Sequence, residues 1–185
     1  MKIKLALILF ILIIIGLVGF LFYKKPSKPS LELIEPKNMK IISPAFSSNQ
    51  LIPKKYTCDG ENINPPLQIS DVPKESKSLV LIIDDPDAPG GTFLHWLVWN
   101  IDVNTPLMIE ENSLPPGALQ GKNDFGKENY GGPCPPSGTH RYFFKVFALD
   151  KTLDLPTGST LKKVEEEMRG HILDSGELIG LYQRE

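Results

Sequence analysis

Seven side chains in this sequence have the types and spacing to do chemistry. Asp84, Asp85 and Asp87 crowd into the run Asp84-Asp85-Pro86-Asp87-Ala88-Pro89-Gly90-Gly91, and His95 follows it closely. A second histidine, His140, leads into Arg141 and Tyr142 behind a stretch rich in glycine and proline that contains Gly132. Pro86 and Pro89 restrict the backbone around Asp87, so the carboxylates are held in place. A histidine titrates near neutral pH, and a carboxylate beside it favours the imidazolium and fixes the ring tautomer. Two histidines and the N–H groups of a glycine-rich loop can then bind a phosphate or a carboxylate. The same Asp85, His95 and His140 set could instead do general acid–base work in a hydrolase or lyase. That alternative lacks a nucleophile. There is no Gly-x-Ser-x-Gly elbow, and Cys134, which precedes His140, is disabled if it is oxidised.

Strands are needed to bring these residues together. Leu79–Ile83 and Leu94–Ile101 are short apolar runs rich in Val, Ile and Trp, bounded by turn residues, and predict two buried strands around the acidic turn. His140–Asp150 predicts a third, strongly aromatic strand. Lys40–Phe46, Leu67–Ser70 and Leu178–Gln183 predict further strands, and Ile52–Asn64 a polar turn. Trp96 and Trp99 are expected in the core. Leu114–Gly138 has no period; a loop of this length in a compact domain is commonly functional. Ser159–Ile172 predicts the domain's helix: Ser159 can cap it, and Leu161, Val164, Met168 and Ile172 form an apolar stripe. Glu165, Glu166 and Glu167 fall off that stripe, on the solvated face. His171 is expected to be structural, and Arg141 to sit in an ion pair.

The composition is that of an ordinary globular chain: 41% hydrophobic and 23% charged, with a formal net charge of −2 over 185 residues. No basic stripe is present to neutralise phosphates, so nucleic acid is excluded as the main partner. With 17 prolines and 15 glycines between short apolar runs, the pattern favours an all-β fold over a bundle. Leu5–Phe22 is almost unbroken apolar sequence, long enough to span a bilayer as a helix and without a small-x-small cleavage site after it. The expected organisation is a transmembrane signal-anchor at residues 1–23, a Lys/Pro/Ser spacer at 24–38, and one domain at 39–185. On this reading the protein sits in the cell membrane as a single-pass chain with the domain outside. Cys58 and Cys134 would tend to pair there, and elsewhere would be two small core residues. No Cys-x-x-Cys or Cys/His cluster occurs, so neither a metal nor a cofactor is expected.

Three motifs in this order and spacing carry a resemblance: Asp85-Pro86-Asp87-Ala88-Pro89, then LHWLVWN from Leu94, then GTHRY from Gly138. With YTCDGENINPPL from Tyr56 and RGHILDSGELIGLYQR from Arg169, they resemble the phosphatidylethanolamine-binding protein family, in its bacterial and archaeal Raf-kinase-inhibitor-like branch. The resemblance covers Met39–Arg184. It implies a β-sandwich of two antiparallel sheets with one or two short helices, and a small anion-binding pocket at one end. Carried over by motif, the ligand-binding residues are Asp85, His95, His140 and Tyr142, with Pro89 and Gly132 on the rim. It also puts the loops of Cys58 and Cys134 beside that pocket, where the two are expected to pair if the domain is extracellular. The expected function is a membrane-tethered binding protein for a small anion or phospholipid head group, one that could inhibit a protease or kinase. A protein partner such as a protease, and a homodimer, are compatible with that reading.

Overall fold

The computed structural model describes residues 38–103 and 107–184. The described fold is mostly β, with two sheets and one α-helix. The strands are β1 (Lys40–Ile42), β2 (Gln50–Leu51), β3 (Leu67–Ser70), β4 (Ser78–Asp85), β5 (Phe93–Ile101), β6 (Leu107–Ile109), β7 (Leu119–Gln120), β8 (Thr139–Leu149) and β9 (Ile172–Gln183). The helix α1 spans Leu161–Met168, and Lys54–Tyr56 forms one 3-10 turn.

The expected fold class needs two corrections. Its transmembrane helix, residues 1–23, lies outside the described residues, and among those no helix is long and apolar enough to cross a membrane. The fold class of the described residues is therefore two sheets with one eight-residue α-helix. The second correction concerns strand direction. The smaller sheet, in order β1-β3-β6, is antiparallel, but the larger, in order β2-β9-β8-β4-β5-β7, ends in a parallel pair, Gln50↔Gly180 and Leu51↔Leu181.

The two faces of β4 explain its sequence. All eight of its residues are buried. Leu79, Leu81 and Ile83 point into the sandwich core with Ile41, Leu67, Ile69 and Ile109 of the smaller sheet. The opposite face carries Ser78, Val80, Ile82 and Asp84. The segment from Lys151 to α1 covers it: Ser78 Oγ donates to the Lys151 carbonyl (2.5 Å), and Asn100 Nδ2 on β5 donates to the Leu153 carbonyl (2.9 Å). Val164 and Met168 of α1 are fully buried on this side. A strand covered on both faces reads as an unbroken apolar run, as Leu79–Ile83 does.

The helix is shorter than its apolar stripe predicts. It starts after Thr160, which makes no side-chain cap; Ser159 Oγ instead donates to the Pro156 carbonyl at 2.7 Å. It stops before Gly170, whose φ of +79° suits the left-handed turn after a helix. Ile172 opens β9, and that strand runs twelve residues where only its second half had been expected.

Candidate functional site

Antiparallel pairing places the site. β4 lies between β5 and β8, so its last residue, Asp85, sits beside the first residues of both neighbours. Along β8 the side chains alternate: His140, Tyr142 and Phe144 share one face, and Arg141, Phe143 and Lys145 the other. Phe144 is opposite Ile83 and belongs to the sandwich core, so His140 and Tyr142 come to the inner end of that core beside Asp85.

His95 reaches the same place by a different device. Ile83 pairs with Trp96, but the next residue, Asp84, pairs with Leu94. β5 thus holds one extra residue, His95, a β-bulge. In a regular strand, with Trp96 and Val98 in the core, His95 would point to the opposite face. The bulge re-aims it inward, and its ring meets that of Tyr142 edge-on at 5.2 Å.

The polar contacts are specific. Asp85 accepts from His140 Nδ1 at 2.7 Å through Oδ2, and from the Asp87 N–H at 2.8 Å through Oδ1. His95 Nδ1 donates to the Gly131 carbonyl at 2.6 Å, and the Gly131 N–H returns a bond to the His95 carbonyl at 3.1 Å. A carbonyl can only accept, so the Nδ1 proton is assigned and Nε2 faces away from this contact. Burial pushes the His95 imidazole below its ordinary 6.5, opposed by the Gly131 carbonyl and the Asp85 charge. Burial, then the Asp85 charge, pushes the Tyr142 phenol up. Its hydroxyl is buried and no partner meets hydrogen-bond geometry among the described residues. Asp87 sits just outside: Arg141 binds it with its N–H, Nε and Nη2, the expected ion pair, and holds the carboxyl down at about 2.

Asp85, His95, His140 and Tyr142 therefore converge, each less than a tenth exposed. Gly132 is buried against the Tyr56–Asn62 segment, and its N–H donates to Asn62 Oδ1 at 2.7 Å. Pro89 is exposed on the β4–β5 turn. Cys58 and Cys134 form a disulfide, with Cα atoms 5.4 Å apart. His171 stands away from the site, with Nδ1 2.8 Å from Asp150.

Several supporting residues have no sequence signal as strong as the histidines. Asn123 is buried and donates through Nδ2 to the carbonyls of His95 (3.2 Å) and Asn129 (2.8 Å), pinning the long loop to the bulge. Phe93 and Phe125 pack on the His95 ring with centroids at 5.3 and 5.4 Å. The absence of turn periodicity around Asn123 and Phe125 hides both. A cleft of about 700 Å³ is lined by Leu51, Lys54, Asp59, Tyr182 and Arg184, and Tyr182 is cross-strand from His140. Among the described residues no group of three or more His, Cys, Asp or Glu is arranged to hold a metal ion.

Known proteins share this architecture. The phosphatidylethanolamine-binding protein family matches residues 42–183. The chain is similar to the UPF0098 protein PH1269 of Pyrococcus horikoshii, 49% identical over 157 residues, which cover 81% of this chain and 79% of that protein. It is similar in structure to the phosphatidylethanolamine-binding protein homolog CT736 of Chlamydia trachomatis, with TM-score 0.76 and 43% identity over 80% of this chain and 99% of the other. It also resembles YbcL of E. coli, described as a member of the mammalian family, with TM-score 0.75 and 30% identity over 80% and 100% of the two chains. The match spans both sheets and every residue of the Asp85–His140 site, and on that extent the chain belongs to the phosphatidylethanolamine-binding protein family.

Proposed function

We propose that this protein binds a small anionic group, a phosphate or a carboxylate such as a phospholipid head group bears, between His140, His95 and Tyr142. The observation that carries the reading is the buried Asp85–His140 contact beside a second histidine whose Nδ1 is already committed. His140, held through Nδ1, donates to the anion through Nε2–H when the ring is protonated. His95, kept neutral by burial, offers the Nε2 lone pair to a hydroxyl or ammonium on the ligand. A ligand carrying both an anion and a donor fits this pair. An anion held by an imidazolium is held less tightly as pH rises through the ordinary histidine range.

The reading as a hydrolase or lyase has less support. The Cys134 sulfur is bonded to Cys58, which removes the thiol nearest in sequence to His140. The test is calorimetric titration with inorganic phosphate and with phosphoethanolamine between about pH 5.5 and 8.5, a window around the unperturbed histidine value. Assays for turnover of phosphomonoesters, esters and peptides run alongside. Saturable binding that falls with pH, without turnover, is expected. Flat affinity across the window sinks the proposal, and turnover sinks the distinction from an enzyme.

A further inference from the structure

The disulfide ties together the two segments that wall the histidine site. One is the Tyr56–Asn62 segment between β2 and β3; the other is the Gly131–Pro135 end of the long loop. Their mutual contacts are few and local: Cys58 N–H to the Pro133 carbonyl (3.1 Å), Gly132 N–H to Asn62 Oδ1 (2.7 Å), and Tyr130 hydroxyl to the Tyr56 carbonyl (2.8 Å). The Cys58 side has its own anchor, since Asp59 accepts from the Tyr182 hydroxyl on β9 at 2.9 Å and pairs with Arg184 at 3.1 Å. The Cys134 side belongs to no strand. Only two residues, Gly132 and Pro133, separate Cys134 from Gly131, whose carbonyl sets the His95 tautomer. Both cysteines are half-buried.

We propose that the Cys58–Cys134 disulfide is a redox switch of the pocket, acting on His95 through the Gly131 carbonyl. The proposal rests on the reading of this site as an anion pocket. A dithiol is the reductant. Its thiolate attacks one cysteine sulfur, the S–S bond breaks, and the other sulfur leaves as a thiolate and takes a proton. The second thiol of the reductant then displaces the mixed disulfide and frees the remaining cysteine. Two electrons and two protons pass to the protein, and the dithiol becomes a disulfide. With the cross-link open, Gly131–Pro135 loses its covalent tie and keeps the three hydrogen bonds above and the reciprocal Gly131–His95 pair. The Gly131 carbonyl then withdraws from His95 for part of the time, and the ring samples its other tautomer.

The test uses the full-length chain labelled with 15N in histidine, at about pH 7, oxidised and after reduction with excess dithiothreitol. Ring 15N signals report the His95 tautomer, and calorimetry with inorganic phosphate reports affinity. The expected result is one Nδ1–H tautomer in the oxidised protein, averaged tautomers in the reduced protein, and an affinity lower by about fivefold, the scale of one hydrogen bond. The Cys58→Ser, Cys134→Ser double variant should match the reduced protein and ignore the reductant. Unchanged His95 signals and affinity on reduction overturn the proposal. So does global unfolding of the reduced chain at 25 °C, which makes the bond a structural support only. If neither form binds phosphate, the anion-pocket reading fails. The switch is then decided by the His95 signals alone, a tautomer change supporting it and no change overturning it.

Discussion

Single residues at this site do different work although their types repeat. His140 and His95 each commit Nδ1, one to a carboxylate and one to a carbonyl. Asp85→Asn keeps the shape but weakens the hold on the His140 ring. Phosphate affinity should fall about tenfold, the scale of one hydrogen bond to a charged group, with the Tm nearly unchanged. His140→Ala should weaken it further, by about a hundredfold, because the donor to the anion is gone. Calorimetry at constant pH checks both. His95 makes a stability prediction as well. Burial lowers its folded pKa below 6.5, so the unfolded chain takes a proton that the folded chain refuses. The stability from neutral His95 is complete above pH 6.5 and is lost as pH falls through the lowered folded value. Wild type should therefore lose Tm more steeply than His95→Asn between about pH 7.5 and 5, read by thermal unfolding of the two proteins in parallel. Equal slopes would contradict the assignment.

At the scale of elements, the layers on the two faces of the large sheet should separate in their effects. Gly132 packs directly on backbone: a Cβ there would lie 2.5 Å from the Tyr56 carbonyl oxygen and 2.8 Å from Thr57 Cα. Neither can give way as a flexible side chain would, so Gly132→Ala should cost about 1–3 kcal/mol in urea unfolding and also weaken phosphate binding, because the rim moves. Met168 on α1 is fully buried on the other face of the sheet. Met168→Ala should cost about 2–5 kcal/mol by the cavity it leaves, and phosphate affinity should stay as in wild type. Loss of binding in the second variant would show that α1 positions the site, against the layering described above.

Across the whole molecule, one covalent bond links segments that are 76 residues apart in sequence. In the chain-entropy account, opening a loop of that length removes roughly 4 kcal/mol of stability. The sandwich core, with Leu67, Leu79, Leu81, Trp96, Tyr142 and Phe144 fully or almost fully buried, does not depend on it for its packing. The reduced chain should thus unfold at a lower urea concentration in a single cooperative transition with a steeper slope, because the unfolded chain without the cross-link exposes more surface. A shallower slope would mean that the native state had loosened beyond the two tied segments.

Local patterning in the sequence determined six of the nine described strands, the short β2, β6 and β7 excepted, and much of the site. The apolar runs of β4 and β5, the alternation His140, Tyr142, Phe144 and the two histidine motifs were all legible, because strand periodicity and turn chemistry are properties of neighbouring residues. What remained hidden depends on pairing. A plain alternation along LHWLVWN leaves His95 opposite in face to Trp96; only the register against β4, with its bulge, turns it inward. The helix boundary was overrun because β9 claimed Ile172, a choice made by pairing with Leu149 of β8. The parallel β2–β9 pair and the Asn123 and Asn62 anchors likewise involve residues far apart in the chain. Hydrogen bonds between distant segments have no periodic trace in sequence, and they decide here which way each catalogue of polar side chains faces.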